Sequence, residues 1–130
     1  LVGEARSIDD DRAAAVIASM SEQMIWAASE AGCEVDLVTE RVFPGYRIPE
    51  GSEALSLAEA ALRSRGHEPT RIATGGGSDA NVFVADGMDC LLLANGTWEN
   101  HTPEEWVARA DLAEMLAVCE AIVAEAGARC

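Results

Sequence analysis

The sequence predicts an α/β fold in two parts: a strand-helix-strand unit, then a helix-strand-helix-strand-helix segment. Three observations predict it. Apolar residues recur at helical spacing in three long stretches, the short runs between them alternate or are wholly apolar as strands are, and "FPGYRIPEG", Phe43–Gly51, interrupts all periodicity with two prolines and two glycines. Helices that alternate with strands on both sides of such a joint place the chain in the α/β class.

The first strand is "LVGEAR", Leu1–Arg6, after which Ser7 offers a cap and Asp9 and Asp10 place acid in a first helical turn. Ala13, Val16, Ile17, Met20, Met24, Ala27, Ala28 and Ala31 continue that helix, and Gly32 stops it. Cys33, Val35 and Leu37 then alternate with Glu34 and Asp36, a half-buried strand that runs to about Val42.

Beyond the joint, a second helix starts at a Ser52 cap, carries Leu55, Ala58, Ala61 and Leu62 on one face and ends at Gly66. A short strand at Arg71–Thr74 leads into "GGGSDAN", a short helix that closes near Asp86-Gly87, and the apolar strand "MDCLLLA". Leu112, Met115, Leu116, Cys119, Ile122, Val123 and Ala126 form the stripe of the last helix, and this stripe does not extend back in phase to Trp106. A break is expected near Ala108–Asp111, with Asp111 and Glu114 capping the long helix. Thr102, Pro103 and Glu105 have the spacing of a separate short helical turn with a capping box.

Composition narrows the partners. The formal net charge is -14, all nine basic residues are arginine, and a phosphate-neutralising surface is hard to build from them. Nucleic acid and anionic membrane are therefore not expected partners. Cys33, Cys90, Cys119 and Cys130 show no C-x-x-C pair, which points to reduced thiols and a cytoplasmic protein. No apolar run reaches the length of a membrane span or a signal-peptide core, and residue 1 is leucine, so the chain reads as one that begins in mid-protein.

Three places could carry chemistry. Gly75–Gly77 after a strand allows close backbone approach, with Ser78, Asp79 and a helix start offering donors to an anion; it equally fits a tight strand-to-helix turn. Gly75, Gly77 and Ala80 also satisfy the relaxed dinucleotide pattern G-x-G-x-x-A, although the helix after them is short. His101, in "NGTWENHTPEEW", stands at a rigid corner suited to a metal ligand or general base, or to packing on Trp106 as a staple. Arg6 on an apolar strand could grip a carboxylate bidentately, or pair with Glu4 or a helix acid. His67 reads as a surface loop residue and Tyr46 as a packed hinge aromatic.

Taken in order, "GEARS", a long helix, "FPGYRIPEGSEAL", "GGGSDANVFVADG" and "NGTWENHTPEEW" followed by "DL" resemble the peptidase T-like metallopeptidases. These belong to the clan of di-zinc exopeptidases that includes carboxypeptidase G, dipeptidase V and succinyl-diaminopimelate desuccinylase. The resemblance covers nearly the whole chain. It implies that residues 1–43 are the second half of a lid and dimerisation domain, 44–51 a hinge, and 52–130 the last segment of the catalytic domain.

It further implies that His101 is a ligand of one of two zinc ions, that Gly76, Gly77 and Ser78 face the substrate's carboxylate, and that Arg6 reaches that carboxylate on closure. Asp79 and Asn81 would support the loop. The family's other ligands, an H-x-D pair, a bridging aspartate and a glutamate pair that includes the general base, have no match in this chain. Paired metals and that base are what generate the attacking hydroxide, so the chain alone is expected to be inactive, with zinc absent or partial. The implied function is hydrolysis of short peptides or a related amide by the intact enzyme; the other reading is a non-catalytic assembly or binding remnant that uses the dimer surface. With half a lid, the strands at Leu1–Arg6 and Cys33–Val42 would have to pair directly, pair with another chain or expose edges, and a homodimer is expected.

Overall fold

The computed structural model describes residues 1–129; Cys130, read above as a reduced thiol, lies outside the described residues. The chain forms two compact units that interleave in sequence. One comprises Leu1–Arg47 and Ile72–Gly87, the other Ile48–Arg71 and Met88–Cys130.

In the first unit α1 spans Asp10–Glu30. Its cap is Asp9 and not Ser7: the Asp9 carboxylate accepts from the Arg12 amide at 3.0 Å, while the Ser7 hydroxyl accepts from the Asp9 amide at 3.1 Å. Ser7 thus fixes the capping residue. Gly32, at φ +65°, lets the Cys33 amide turn back to the Ala28 carbonyl at 2.9 Å, which ends the helix. No residue of α1 is buried, and Val16, Ile25 and Trp26 stand exposed. The short helix α3, Asp79–Ala85, follows the glycine run and closes at Gly87, φ +86°.

One peptide group of the joint is held from both sides inside this unit. The Gly45 amide donates to Asp10 Oδ1 at 2.9 Å, and the carbonyl of the same peptide, on Pro44, accepts from Asn81 Nδ2 at 2.9 Å. Arg41 pairs with the other oxygen of Asp10. A side chain at Gly45 would meet Asp10 Oδ1 at 3.1 Å, so a small residue suits this approach.

In the second unit α2, Glu53–Ser64, packs on α4, Arg109–Arg129, with Ala58, Ala61 and Val118 buried. Ala61 is fully buried, and alanine here lets the two helices approach closely. Ser52 caps α2 through the Leu55 amide at 2.9 Å. Asp89 braces the same end, taking the Ser52 hydroxyl at 2.6 Å and the Ala54 amide at 3.0 Å; these bonds hold its carboxyl below the usual range. At the other end Gly66, φ +83°, ends α2, and Arg65 makes a two-pronged pair with Glu114 of α4, each bond 3.0 Å. His67 Nε2 lies 3.1 Å from Glu114 Oε1.

Three sequence expectations change. The segments Leu1–Arg6, Cys33–Val42, Arg71–Thr74 and Met88–Ala94 form no ladder among the described residues. A strand needs a neighbour about 4.8 Å away, and the described residues bring none alongside. Cys90, Leu91 and Leu93 nevertheless share a concavity with Leu57, Ala58 and Ile122, as a strand layer under two helices would. The ladder that does form is β1, Thr97–Trp98, antiparallel to β2, Trp106–Val107, where a separate helical turn is expected. The break before the last helix is present and α4 starts at Arg109, but Glu114 turns to Arg65 and His67 and caps nothing. The described residues are mainly helical with one two-stranded sheet, compatible with part of an α/β domain.

Glu114 supplies a pH test. Hydrogen bonds from Arg65 first and His67 second lower its carboxyl from 4.5 to about 2. A carboxylate held down in the folded state stabilises above its unfolded value, and that stabilisation is lost as pH falls toward about 2. Thermal melts followed by circular dichroism are expected to fall between about pH 5 and pH 2, and Glu114→Gln to remove part of that slope; an unchanged slope would contradict the pairing.

Candidate functional site

The glycine run is shaped from both sides. Thr74 Oγ1 accepts from the Gly76 amide at 3.2 Å, and Asn81 Oδ1 accepts from the Ser78 amide at 2.9 Å, which closes the loop onto the first turn of α3. The tip of the Phe43 ring occupies the place where a side chain at Gly77 would sit: an added Cβ would fall 2.1 Å from Phe43 Cζ. The Phe43 ring therefore requires glycine at 77. Asn81 is 5% exposed, and both ends of its amide are bonded. Buried beside it, the Ser78 hydroxyl has no hydrogen-bond partner among the described residues. With seven residues, α3 is too short for the dinucleotide pattern to carry weight.

Arg6 is exposed and pairs with Glu4, Nε to Oε1 at 3.0 Å. This is the local ion pair that its position allowed, and it leaves the guanidinium in solvent.

His101 lies in the second unit, in the loop between β1 and β2. Just before β1, Asn95 accepts from both the amide and the hydroxyl of Thr97, at 3.2 and 2.7 Å. Trp98 and Trp106 then face each other across the ladder, rings stacked with centroids 6.1 Å apart and planes 10° from parallel. Trp106 stacks on Trp98. Between them the Thr102 hydroxyl donates to the Glu99 carbonyl at 2.8 Å, and Glu105 accepts from the His101 amide at 2.8 Å. Glu99 and His101 are both left-handed, with φ of +54° and +68°. The rigid corner expected from the sequence is thus real in the backbone, though it is a hairpin and not a helix start. Its imidazole is exposed.

Arg6 and Gly76–Ser78 belong to the first unit and His101 to the second. Among the described residues no three His, Cys, Asp or Glu side chains converge so as to hold a metal ion. His101 offers one donor, and these residues by themselves do not fit a zinc site. Sequence reasoning missed Phe43 over Gly77, Asp10 on the Pro44–Gly45 peptide, and the Trp98–Trp106 pair. Two tryptophans flanking the polar stretch 99–105 were the available signal for the last. Trp98→Ala is expected to destabilise the hairpin by roughly 0.5–1.5 kcal/mol and to abolish any tryptophan exciton couplet in circular dichroism. A retained couplet would place the stack elsewhere.

No known protein-family profile matches the chain. It is 29% identical over 126 residues to the uncharacterized protein YqjE of Bacillus subtilis (strain 168), which takes in 97% of this chain and 34% of that protein. Among solved structures, aminopeptidase PepT from Bacillus cereus ATCC 10987 is similar at a TM-score of 0.74 and 31% identity, over 92% of this chain and 32% of that one. The chain spans about one third of the length of the proteins it matches, and over that third its structural neighbour is an aminopeptidase.

Proposed function

We propose that this chain is the C-terminal portion of a zinc-dependent, peptidase T-like exopeptidase that hydrolyses short peptides or a related amide. The observation that carries the reading is the structural likeness to an aminopeptidase over nearly the whole chain. In this reading residues 1–43 complete a lid, 44–51 form the hinge and 52–130 close the catalytic domain. His101 is one ligand of a two-zinc site whose remaining ligands and general base come from the rest of the enzyme. The Gly76–Ser78 loop faces the substrate's carboxylate, and Arg6 leaves Glu4 to reach it. The chain alone turns over no peptide.

The left-handed backbone at His101 supports a functional placement, since a non-glycine residue in that region costs roughly 1 kcal/mol and is kept where its side chain must be aimed. The exposed Val16, Ile25 and Trp26 of α1 leave apolar surface that a dimer built on the lid would cover. The same exposure suits the second reading, a non-catalytic assembly module.

The test joins this chain to the preceding two thirds of its protein and measures release of N-terminal residues from di- and tripeptides. Zinc-dependent hydrolysis is expected, lost on chelation, with His101→Ala lowering kcat/KM by roughly 100-fold or more. Hydrolysis by the chain alone, or activity indifferent to His101→Ala, would contradict the assignment.

A further inference from the structure

The hinge and the glycine loop are tied by contacts that a local turn does not require. Asn81 sits at the third position of α3, where its Oδ1 meets the Ser78 amide and so serves the loop's own geometry. Its Nδ2 points away, to the carbonyl of Pro44, thirty-seven residues distant in sequence. The amide of that same peptide is held by Asp10 at the start of α1. The Phe43 ring, next to Pro44, fills the space above Gly77. The Pro44–Gly45 peptide is thus a crosspiece with α1 on one side and the glycine loop on the other, and every contact named lies within the first unit.

We propose that Asn81 is a positioning residue: through Pro44 it fixes the Gly76–Ser78 loop to the hinge, so that hinge and loop move as one piece. A peptide group bonded at both its N–H and C=O has little freedom to rotate, because a turn of that plane breaks both bonds together. The Phe43–Gly77 contact adds a steric stop, since the ring cannot slide off Gly77 without the hinge moving. A change of hinge angle therefore shifts the loop, and a loop pulled toward a ligand shifts the hinge. That the loop faces a substrate carboxylate rests on the function proposed above; the coupling itself does not.

Asn81→Asp separates positioning from capping. It keeps the acceptor for the Ser78 amide and removes the donor to Pro44, replacing it with an oxygen that repels the carbonyl. In the full 130-residue chain, amide hydrogen exchange by NMR is expected to quicken about five- to tenfold at Gly45, whose own bond is to Asp10, with Ser78 within about twofold of the parent. The Gly77 α-protons, expected to be displaced from random-coil values by the Phe43 ring current in the parent, should relax toward those values. Exchange at Gly45 within about twofold of the parent, with the Gly77 shift retained, would overturn the proposal and leave Asn81 a local cap. Should Asn81→Asp fail to fold, Phe43→Leu carries the same test from the hinge end: faster exchange at both Gly45 and Ser78 supports coupling, and parent-like exchange at either overturns it. No substrate or metal enters these measurements, so failure of the peptidase reading leaves them standing, and their failure leaves the His101 test untouched.

Discussion

An extended segment becomes a strand only when a neighbour takes up its backbone donors and acceptors, and that constraint governs this chain. Four segments have strand composition, yet among the described residues the one ladder is two residues long on each side. Helices consequently supply nearly all the packing. The buried apolar residues are Ala58, Ala61, Ala80 and Val118, all small, whereas Ile25, Trp26, Phe83, Leu92, Leu112, Leu116 and Val123 remain exposed. Apolar surface of this extent is what further strands and helices of a larger domain would cover.

Where a large apolar core is lacking, polar side chains make the long-range ties. Asp10 reaches the Pro44–Gly45 peptide, Asn81 reaches it from the other side, Asp89 braces the start of α2, and Glu114 joins α4 to the end of α2. Isolated exposed ion pairs contribute little, but these groups either meet backbone donors and acceptors or bind an arginine fork in fixed geometry, which is where such contacts count. They also fall at the ends of helices, the places where unpaired backbone groups need partners.

Local signals were legible in the sequence and non-local ones were not. Ser52, Gly32, Gly66 and Gly87 mark helix ends because a cap or a left-handed residue acts within a few positions. The break before α4 was legible from the phase of its apolar stripe. The hairpin around His101 was not, because Thr102, Pro103 and Glu105 satisfy the rule for a helix start while the competing Trp98–Trp106 stack forms eight residues apart. Once that stack closes the loop, Glu105 accepts from His101 and not from Thr102. Phe43 was legible as part of a joint, but nothing in the order of residues announces that its ring completes Gly77.

His101 has a left-handed backbone, and Phe43 packs on the glycine loop at Gly77, yet the described residues supply no complete metal site. A chain that spans one third of an aminopeptidase-like fold has these features if the other partners lie in the remaining two thirds. The most direct measurement is the coding sequence immediately upstream of Leu1. The account predicts an uninterrupted reading frame about twice as long as this chain, holding a histidine-x-aspartate pair and an adjacent glutamate pair; an initiation codon next to Leu1, or a long extension without those pairs, would contradict it.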